Sequence, residues 1–327
     1  MARNRTGRGS AAKAGGERDK RALFLKRLGA IFNISPSEAE ALASTPLTQS
    51  VRINPLAARP VDAIGADLEA LGAELEPVAW CENSFHLHSS KRVVAESGLF
   101  ADGEVYIQNA SSFAPSLALD AQPDQDILDL CAAPGGKSIH IAALIGGRAR
   151  LWLNDALPAR IRKLEAVLAQ FHVTPDRVTS HPAQYADKFI DREFDRILID
   201  AQCTGEGMID LSAPNPMRFW SPERITKYSR LQQRMLMSAW KRLKPGGVLV
   251  YSTCTYAPEE NEAPLDHLLR HREDAAMEPV ELNLPGRTSG LARWEGRRFD
   301  PQLVHAVRIR AQRFMEGFFL ARVRKRA

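Results

Sequence analysis

The chain has 327 residues, 44% hydrophobic and 25% charged, with a net charge of +5, enough apolar material for a large core and about two domains. No run of some 18 apolar residues occurs, and the basic N-terminus lacks an apolar signal core. The expectation is a soluble, intracellular protein of the cytoplasm, with no membrane association. Four cysteines, Cys81, Cys131, Cys203 and Cys254, are too few for a disulfide framework and too scattered for zinc, so no metal is expected.

Charge is unevenly spread: residues 1–28 hold nine Lys/Arg against two acids and residues 293–327 ten against three, so the ends together carry +14 and the middle about −9. Basic ends on an acidic body suit a polyanion, most simply nucleic acid, or else serve as solubilising tails. Residues 1–20, rich in Gly, Ala, Ser and Arg without a hydrophobic period, read as a disordered basic arm. Apolar residues from Leu23 to Phe32 then predict a short helix, and Ser35-Pro36-Ser37-Glu38 predicts the start of a second.

Val51–Asn54 alternates as a strand, Val61–Leu71 has a helical period closed by Gly72, and Leu75–Trp80 and Ser84–Leu87 read as short strands. Residues 21–115 thus form a helical plus small α/β module, read as RNA-positioning although aromatic doublets for stacking single strands are not evident. Val105–Gln108 predicts a strand entering a helix, Phe113–Leu119, capped at Ser111-Ser112. Residues 116–327 follow a strand-helix rhythm: strands Ile127–Cys131, Arg150–Asn154, one near Val178, Ile197–Asp200 and Val248–Ser252; helices Ser138–Leu144, Pro158–Phe171 and about 222–243. Such alternation predicts an α/β fold with a doubly wound, mostly parallel, Rossmann-like sheet, closed by a strand at Gly317–Ala321.

Candidate chemistry gathers at the carboxyl ends of those strands. Asp129-Leu-Cys-Ala-Ala-Pro-Gly-Gly-Lys137 is a strand, a tight glycine turn and a helix N-terminus, where backbone N–H groups face a ligand. It matches neither Gly-x-Gly-x-x-Gly nor the phosphate-cradling Gly-x-x-x-x-Gly-Lys-Ser/Thr pattern. Asp155, after the second strand, is placed either to accept hydrogen bonds from a ribose or to cap the next helix. Asp200 and Cys203 follow the fourth strand and Cys254 the fifth, so both thiols should emerge near Lys137, with Thr253 and Thr255 able to hydrogen-bond a thiolate.

These elements, with Asp200-Ala-Gln-Cys-Thr-Gly-Glu-Gly207, Tyr251-Ser-Thr-Cys-Thr255 and Pro258-Glu-Glu-Asn-Glu262, resemble the Nop/Sun (RsmB/RsmF-like) family of S-adenosylmethionine-dependent RNA cytosine-5 methyltransferases. Arg52-Ile-Asn54, Gln108, Ser111-Ser112 and Glu316-Gly-Phe-Phe-Leu-Ala321 support the match, which covers about residues 50–322. The resemblance implies that Cys254 adds to C6 of an unpaired cytidine, that Cys203 helps release the product, and that Asp200 and Lys137 stabilise charge on the ring. It implies cofactor contacts from Cys131, Ala132, Ala133, Pro134, Gly135, Gly136 and Lys137, with Asp155 at the ribose and Asp200 near the methionine end. Two departures stand out: Gln202 replaces the proline usual before the first cysteine, and Pro182 stands where an acid commonly follows the third strand.

The implied substrate is ribosomal RNA, with transfer RNA the alternative, handled by a monomer. Two other classes compete. An RNA chaperone or assembly factor would keep the fold without needing turnover. A DNA cytosine methyltransferase would use the Cys203 element for attack and would lack the Cys254 element.

Overall fold

A computed structural model describes the backbone over residues 7–327, with side chains described from Arg18 onward. Helices α1 (Gly7–Phe32) and α2 (Pro36–Ala43) open the chain. Residues 7–20, read from composition as disordered, belong to α1; helix-favouring Ala, Lys, Arg and Glu continue upstream of the buried segment, and propagation there is cheaper than nucleation. The remainder of that arm, residues 1–6, lies outside the described residues. At α2 the anticipated cap is present: Ser35 Oγ accepts from the Glu38 N–H and Glu38 accepts from the Ser35 N–H.

The small sheet contains β1 (Ser50–Ile53), β2 (Leu75–Pro77), β3 (Ser84–Leu87) and β4 (Val105–Gln108) in the order β2-β3-β1-β4, all antiparallel. Helix α3 (Val61–Ala70) seats Ile64 and Leu68 against Val51, Ile53, Leu87 and Val105, and short helices α4 (Lys91–Ala95) and α5 (Gly98–Ala101) complete this separate core. Helices α1 and α2 do not share it. Phe24, Leu28, Ile31 and Phe32 pack on Met217, Trp220 and Tyr256, so the helical part of the 21–115 module is joined to the half that follows residue 115.

After β4, Asn109 rather than Ser111 or Ser112 makes the cap: its Oδ1 accepts from the Ser111 N–H at 3.1 Å, starting a 3-10 turn that leads into α6 (Ala114–Leu119). The large sheet then collects β5 (Asp126–Asp129), β6 (Arg150–Asn154), β7 (Arg177–Thr179), β8 (Phe194–Asp200) and β9 (Leu243–Thr253), parallel to one another in the order β7-β6-β5-β8-β9. Order reverses at β5, which opens a crevice at the carboxyl ends of β5 and β8. Helices α7 (Gly136–Leu144), α8 (Pro158–Gln170), α9 (Ala186–Phe189), α10 (Pro222–Trp240) and α11 (Glu262–His271) connect these strands.

Alternation along the strands feeds two cores. Ile127, Leu153, Leu198 and Val250 face α6, α7 and α8, whereas Leu128, Ile197, Leu249 and Tyr251 face α10 and α11. Beyond β9 the sheet turns antiparallel with β10 (Ala275–Glu278), β11 (Arg287–Ser289), β14 (Val307–Ile309) and β15 (Phe318–Lys325), while β12 (Arg293–Trp294) and β13 (Arg297–Arg298) form a separate ribbon. Only β15 was legible in the sequence; the others are two to four residues long, too short to display a period.

Candidate active site

The glycine turn closes on a cleft of about 150 Å³ lined by Tyr106, Gln108, Asp129, Cys131, Gly136, Lys137 and Asp200, with Ala132, Ala133 and Pro134 along the turn. Gly135 has φ +120°, a region L residues rarely adopt. At Gly136 a Cβ would lie 2.7 Å from both the Tyr106 ring and Gln108 Oε1. Asp129 braces the turn from below, accepting from Ser138 Oγ at 2.7 Å and from the Cys131 N–H at 3.3 Å. Helix α7 begins at Gly136 without a side-chain cap, so its N-terminus opens toward the cleft.

Lys137 Nζ donates to Asp200 Oδ2 at 2.8 Å, and Ser252 Oγ donates to Asp200 Oδ1 at 2.7 Å. Burial opposes the lysine charge, but Asp200, Glu316 and Asp129 outweigh it and hold the ammonium above its ordinary range. Burial pushes the Asp129 and Glu316 carboxyls up to about 7 each, against the counter-pull of Ser138 on Asp129 and of Lys137 on Glu316. Around the pair, then, the ammonium stays charged while two neighbouring acids are poised near neutrality.

Asp155 is buried after β6, where its Oδ1 accepts from the Leu157 N–H at 3.2 Å and Arg160 lies 3.5 Å from Oδ2. Arg160 also donates to the Ala133 carbonyl. The arginine therefore ties the second strand to the glycine turn, a contact that residue type alone does not separate from surface charge. Asp155, Cys203 and Cys254 are not among the residues lining the cleft itself.

The two thiols meet beside it: Cys203 Sγ and Cys254 Sγ are 3.3 Å apart, both free and both partly exposed. The hydrogen bond to Cys254, burial and the nearby Glu260 raise the Cys203 thiol well above its usual range, so it remains an S–H at neutral pH. Cys131 is likewise held as a thiol by burial and by Asp129, Asp200 and Asp155, which suits a packing role.

The loop carrying Cys203 is fixed without the missing proline. Glu260 accepts from the Thr204 N–H and from Gln232 Nε2, each at 3.1 Å, and bonds Thr204 Oγ1. Gln232 Nε2 donates to the Gln202 carbonyl at 2.9 Å, and Gln202 Nε2 donates to the Tyr228 hydroxyl at 3.3 Å. Next, the Gly207 N–H donates to the Cys254 carbonyl and the Gly317 N–H to the Gly207 carbonyl, each at 2.9 Å. A Cβ at Gly207 would fall 1.9 Å from the Gly317 carbonyl oxygen, so only glycine lets the three segments stack.

Sequence reasoning missed what Pro258–Glu262 does. Glu259 pairs with Arg27, Glu260 holds the Cys203 loop, Asn261 bonds Thr253 Oγ1 at 2.6 Å and the Thr255 carbonyl at 2.9 Å, and Glu262 pairs with buried Arg308. An apparently acidic surface stretch is thus a clamp around Cys254. Pro182, the other departure, precedes a 3-10 turn over Ala183–Tyr185, and its neighbour His181 donates its N–H to Asn154 Oδ1 at 3.1 Å.

The profile of the 16S rRNA methyltransferase RsmB/F family matches residues 116–324, and that of the N-terminal domain of 16S rRNA methyltransferase RsmF matches residues 22–110. The chain belongs to the RsmB/F methyltransferase family. It is 38% identical over 283 residues to the tRNA (cytosine(49)-C(5))-methyltransferase of Pyrococcus abyssi, covering 86% of this chain and 89% of that one. It is 38% identical over 254 residues to ribosomal RNA small subunit methyltransferase F of Aeromonas hydrophila, covering 75% of this chain but only 53% of that relative. This RsmB/F member therefore spans about half the length of that ribosomal relative.

Among solved structures, a methyltransferase homolog protein from Pyrococcus horikoshii superposes with a TM-score of 0.75 at 29% identity, covering 95% of this chain and 99% of that one. NSun6 from the same organism superposes at 0.76 with 20% identity over 92% of this chain and 97% of its own, a likeness of fold alone. Among the described residues no helix is long and apolar enough to cross a membrane, and no group of three or more His, Cys, Asp or Glu could hold a metal ion.

Proposed function

We propose that this RsmB/F member is an S-adenosylmethionine-dependent RNA cytosine-5 methyltransferase that modifies a cytidine of ribosomal RNA through Cys254. The observation that carries the reading is the sulfur pair at 3.3 Å beside the Lys137–Asp200 ion pair. Cytosine C5 is a weak nucleophile until a thiolate adds at C6, and a nucleophile with a second thiol in contact serves that chemistry.

The cofactor fits the turn: a glycine at 136 leaves close approach open, and the uncapped α7 N-terminus offers N–H groups to a carboxylate. The cleft of about 150 Å³ is smaller than the about 300–1,000 Å³ that encloses a whole drug-sized ligand. It would take the methionine end, with the residues of the turn and Asp155 as the groups that would hold the nucleoside. When bound, the cofactor supplies an electrophilic methyl group.

Cys254 adds to C6; Asp200 accepts from the exocyclic amine of the ring, and Lys137 holds positive charge next to it as the ring becomes electron-rich. The assignment of attack to Cys254 follows the resemblance of Tyr251-Ser-Thr-Cys-Thr255 to the family's element. Cys203, in contact with that sulfur, is placed to hydrogen-bond it when it leaves, after water has taken the C5 proton.

A transfer RNA substrate is the second reading, favoured by the Pyrococcus abyssi relative, whose length this chain nearly spans. The test is transfer of labelled methyl to ribosomal and transfer RNA from cells lacking the protein. Label in ribosomal RNA that Cys254→Ala abolishes, with a denaturant-resistant RNA complex in Cys203→Ala, is the expected result; label in transfer RNA alone selects the second reading. Normal turnover by Cys254→Ala would overturn the mechanism, and full cellular rescue by that inactive variant would favour an assembly factor.

A further inference from the structure

Near the end of the segment between Cys203 and α10, the Phe219 side chain stands 62% exposed, while Met217 two residues before it and Trp220 directly after it are buried. Trp220 Nε1 donates to Glu206 Oε1 at 2.7 Å, and its ring meets Phe24 edge-on at 5.6 Å, so the backbone on that side of Phe219 is anchored and the ring is held outward. Two guanidiniums flank the ring, Arg218 at 4.9 Å and Arg224 at 5.9 Å from its centre. Arg224 Nη2 also donates to the Tyr228 hydroxyl at 3.1 Å, the group that accepts from Gln202 Nε2 at 3.3 Å. A chain of contacts therefore runs from the neighbour of Cys203 to the exposed ring.

From Arg224 the basic residues continue along one stripe of α10 at Lys227, Arg230 and Arg234, all exposed. Some cations elsewhere are matched with acids, as in Arg27–Glu259, Arg150–Asp126, Arg270–Asp266 and Arg322–Glu278, while others among the described residues, such as Arg162 and Lys163, are not. Among the described residues none of the four on α10, nor Arg218, takes part in an ion pair, and Glu223 is the single acid on the helix. An exposed aromatic face with unpaired cations around and beyond it is complementary to single-stranded RNA, whose bases stack on rings and whose phosphates take positive charge.

We propose that Phe219, held between Arg218 and Arg224, stacks an unpaired base next to the reacting cytidine, and that Lys227, Arg230 and Arg234 carry the phosphates that follow. The platform positions substrate; it does not touch the reacting atoms. Gln202, in the place where the family commonly has proline, links it to the Cys203 loop through Tyr228. This inference rests on the reading that the substrate is RNA.

The probe is a short fluorescein-labelled single-stranded RNA containing one cytidine with 2-aminopurine on either side. Phe219→Ala weakens binding about tenfold and removes the 2-aminopurine quenching, whereas Phe219→Trp retains both. Arg230→Gln lowers the slope of log affinity against log salt by about 0.7, one phosphate contact. With extracted ribosomal RNA, Phe219→Ala raises KM more than it lowers kcat. Because Phe219 is exposed, its variants keep the wild-type melting temperature. Unchanged binding and quenching in Phe219→Ala, with wild-type methylation intact, overturn the platform alone; a wild-type protein that neither binds nor methylates RNA overturns the RNA reading and the platform with it.

Discussion

Replacing Glu260 by glutamine should change how the protein responds to alkali while leaving it folded at neutral pH. Burial drives the Glu260 carboxyl from an ordinary 4.5 up to about 8, opposed by its bond from Thr204 and reinforced by Glu206. At pH 7 the folded protein therefore holds a proton there that the unfolded chain has released, and stability declines as pH rises through about 8. Between pH 7 and 9 the loss from this one group is on the order of 1 kcal/mol, or about 2 °C in melting temperature for a chain of this size.

Glutamine mimics the protonated acid. Its oxygen can accept from the Thr204 N–H and Gln232 Nε2 as Glu260 does, and its amide can donate to the Thr204 hydroxyl, which in the wild type donates to the carboxylate. Melting curves of wild type and Glu260→Gln at pH 7, 8 and 9 measure the difference, because ionisation of cysteines and tyrosines is common to both. The wild type should lose about 2 °C more than the variant across that range. Parallel curves would mean that Glu260 is already ionised at pH 7 and that the Cys203 loop is held by a charge.

Gly136→Ala should weaken S-adenosylmethionine binding about tenfold by calorimetry, since its Cβ starts 2.7 Å from Gln108 Oε1 and Tyr106 and overpacking costs about 1–3 kcal/mol; unchanged affinity would refute close approach at the turn. Arg308→Met should destabilise the protein by about 3–5 kcal/mol in urea unfolding because it leaves Glu262 buried and unpaired. The double variant with Glu262→Gln should recover most of that. A single variant that loses less than about 1 kcal/mol would show that water reaches Glu262.

The parallel half of the fold was legible because its strands are apolar runs ended by glycine, proline or a capping residue, and because Asp129, Asp200 and Cys254 each follow such a run. The glycine turn was readable for the same reason: Gly135 and Gly136 are required by backbone shape and close approach, which a sequence displays directly. What stayed hidden depends on burial of charge. Glu206, Glu260, Glu262, Glu316 and Arg308 are all buried, yet as residue types they signal surface, and their partners lie far off in sequence. Arg160 was indistinguishable from solvent-facing charge until α8 set it over the Ala133 carbonyl. Gln202 stood out as a departure because a proline's rigidity is visible locally, whereas the bond its carbonyl accepts from Gln232 and the one it donates to the Tyr228 hydroxyl are not.

The stacking of Cys254, Gly207 and Gly317 has a consequence for how the protein is made. A ribosome delivers the chain from its N-terminus, so the small sheet and the five parallel strands have emerged while Glu316 and β15 are still to come. Until then the Gly207 carbonyl lacks its partner, β9 has an open edge, and Glu316 is absent from the pocket it shares with Lys137 and Asp200. Both cysteines exist early, but the chamber around them closes last. The two thiols and the parallel strands are therefore synthesised before the segment that walls them in, and β15 is the element that completes the site.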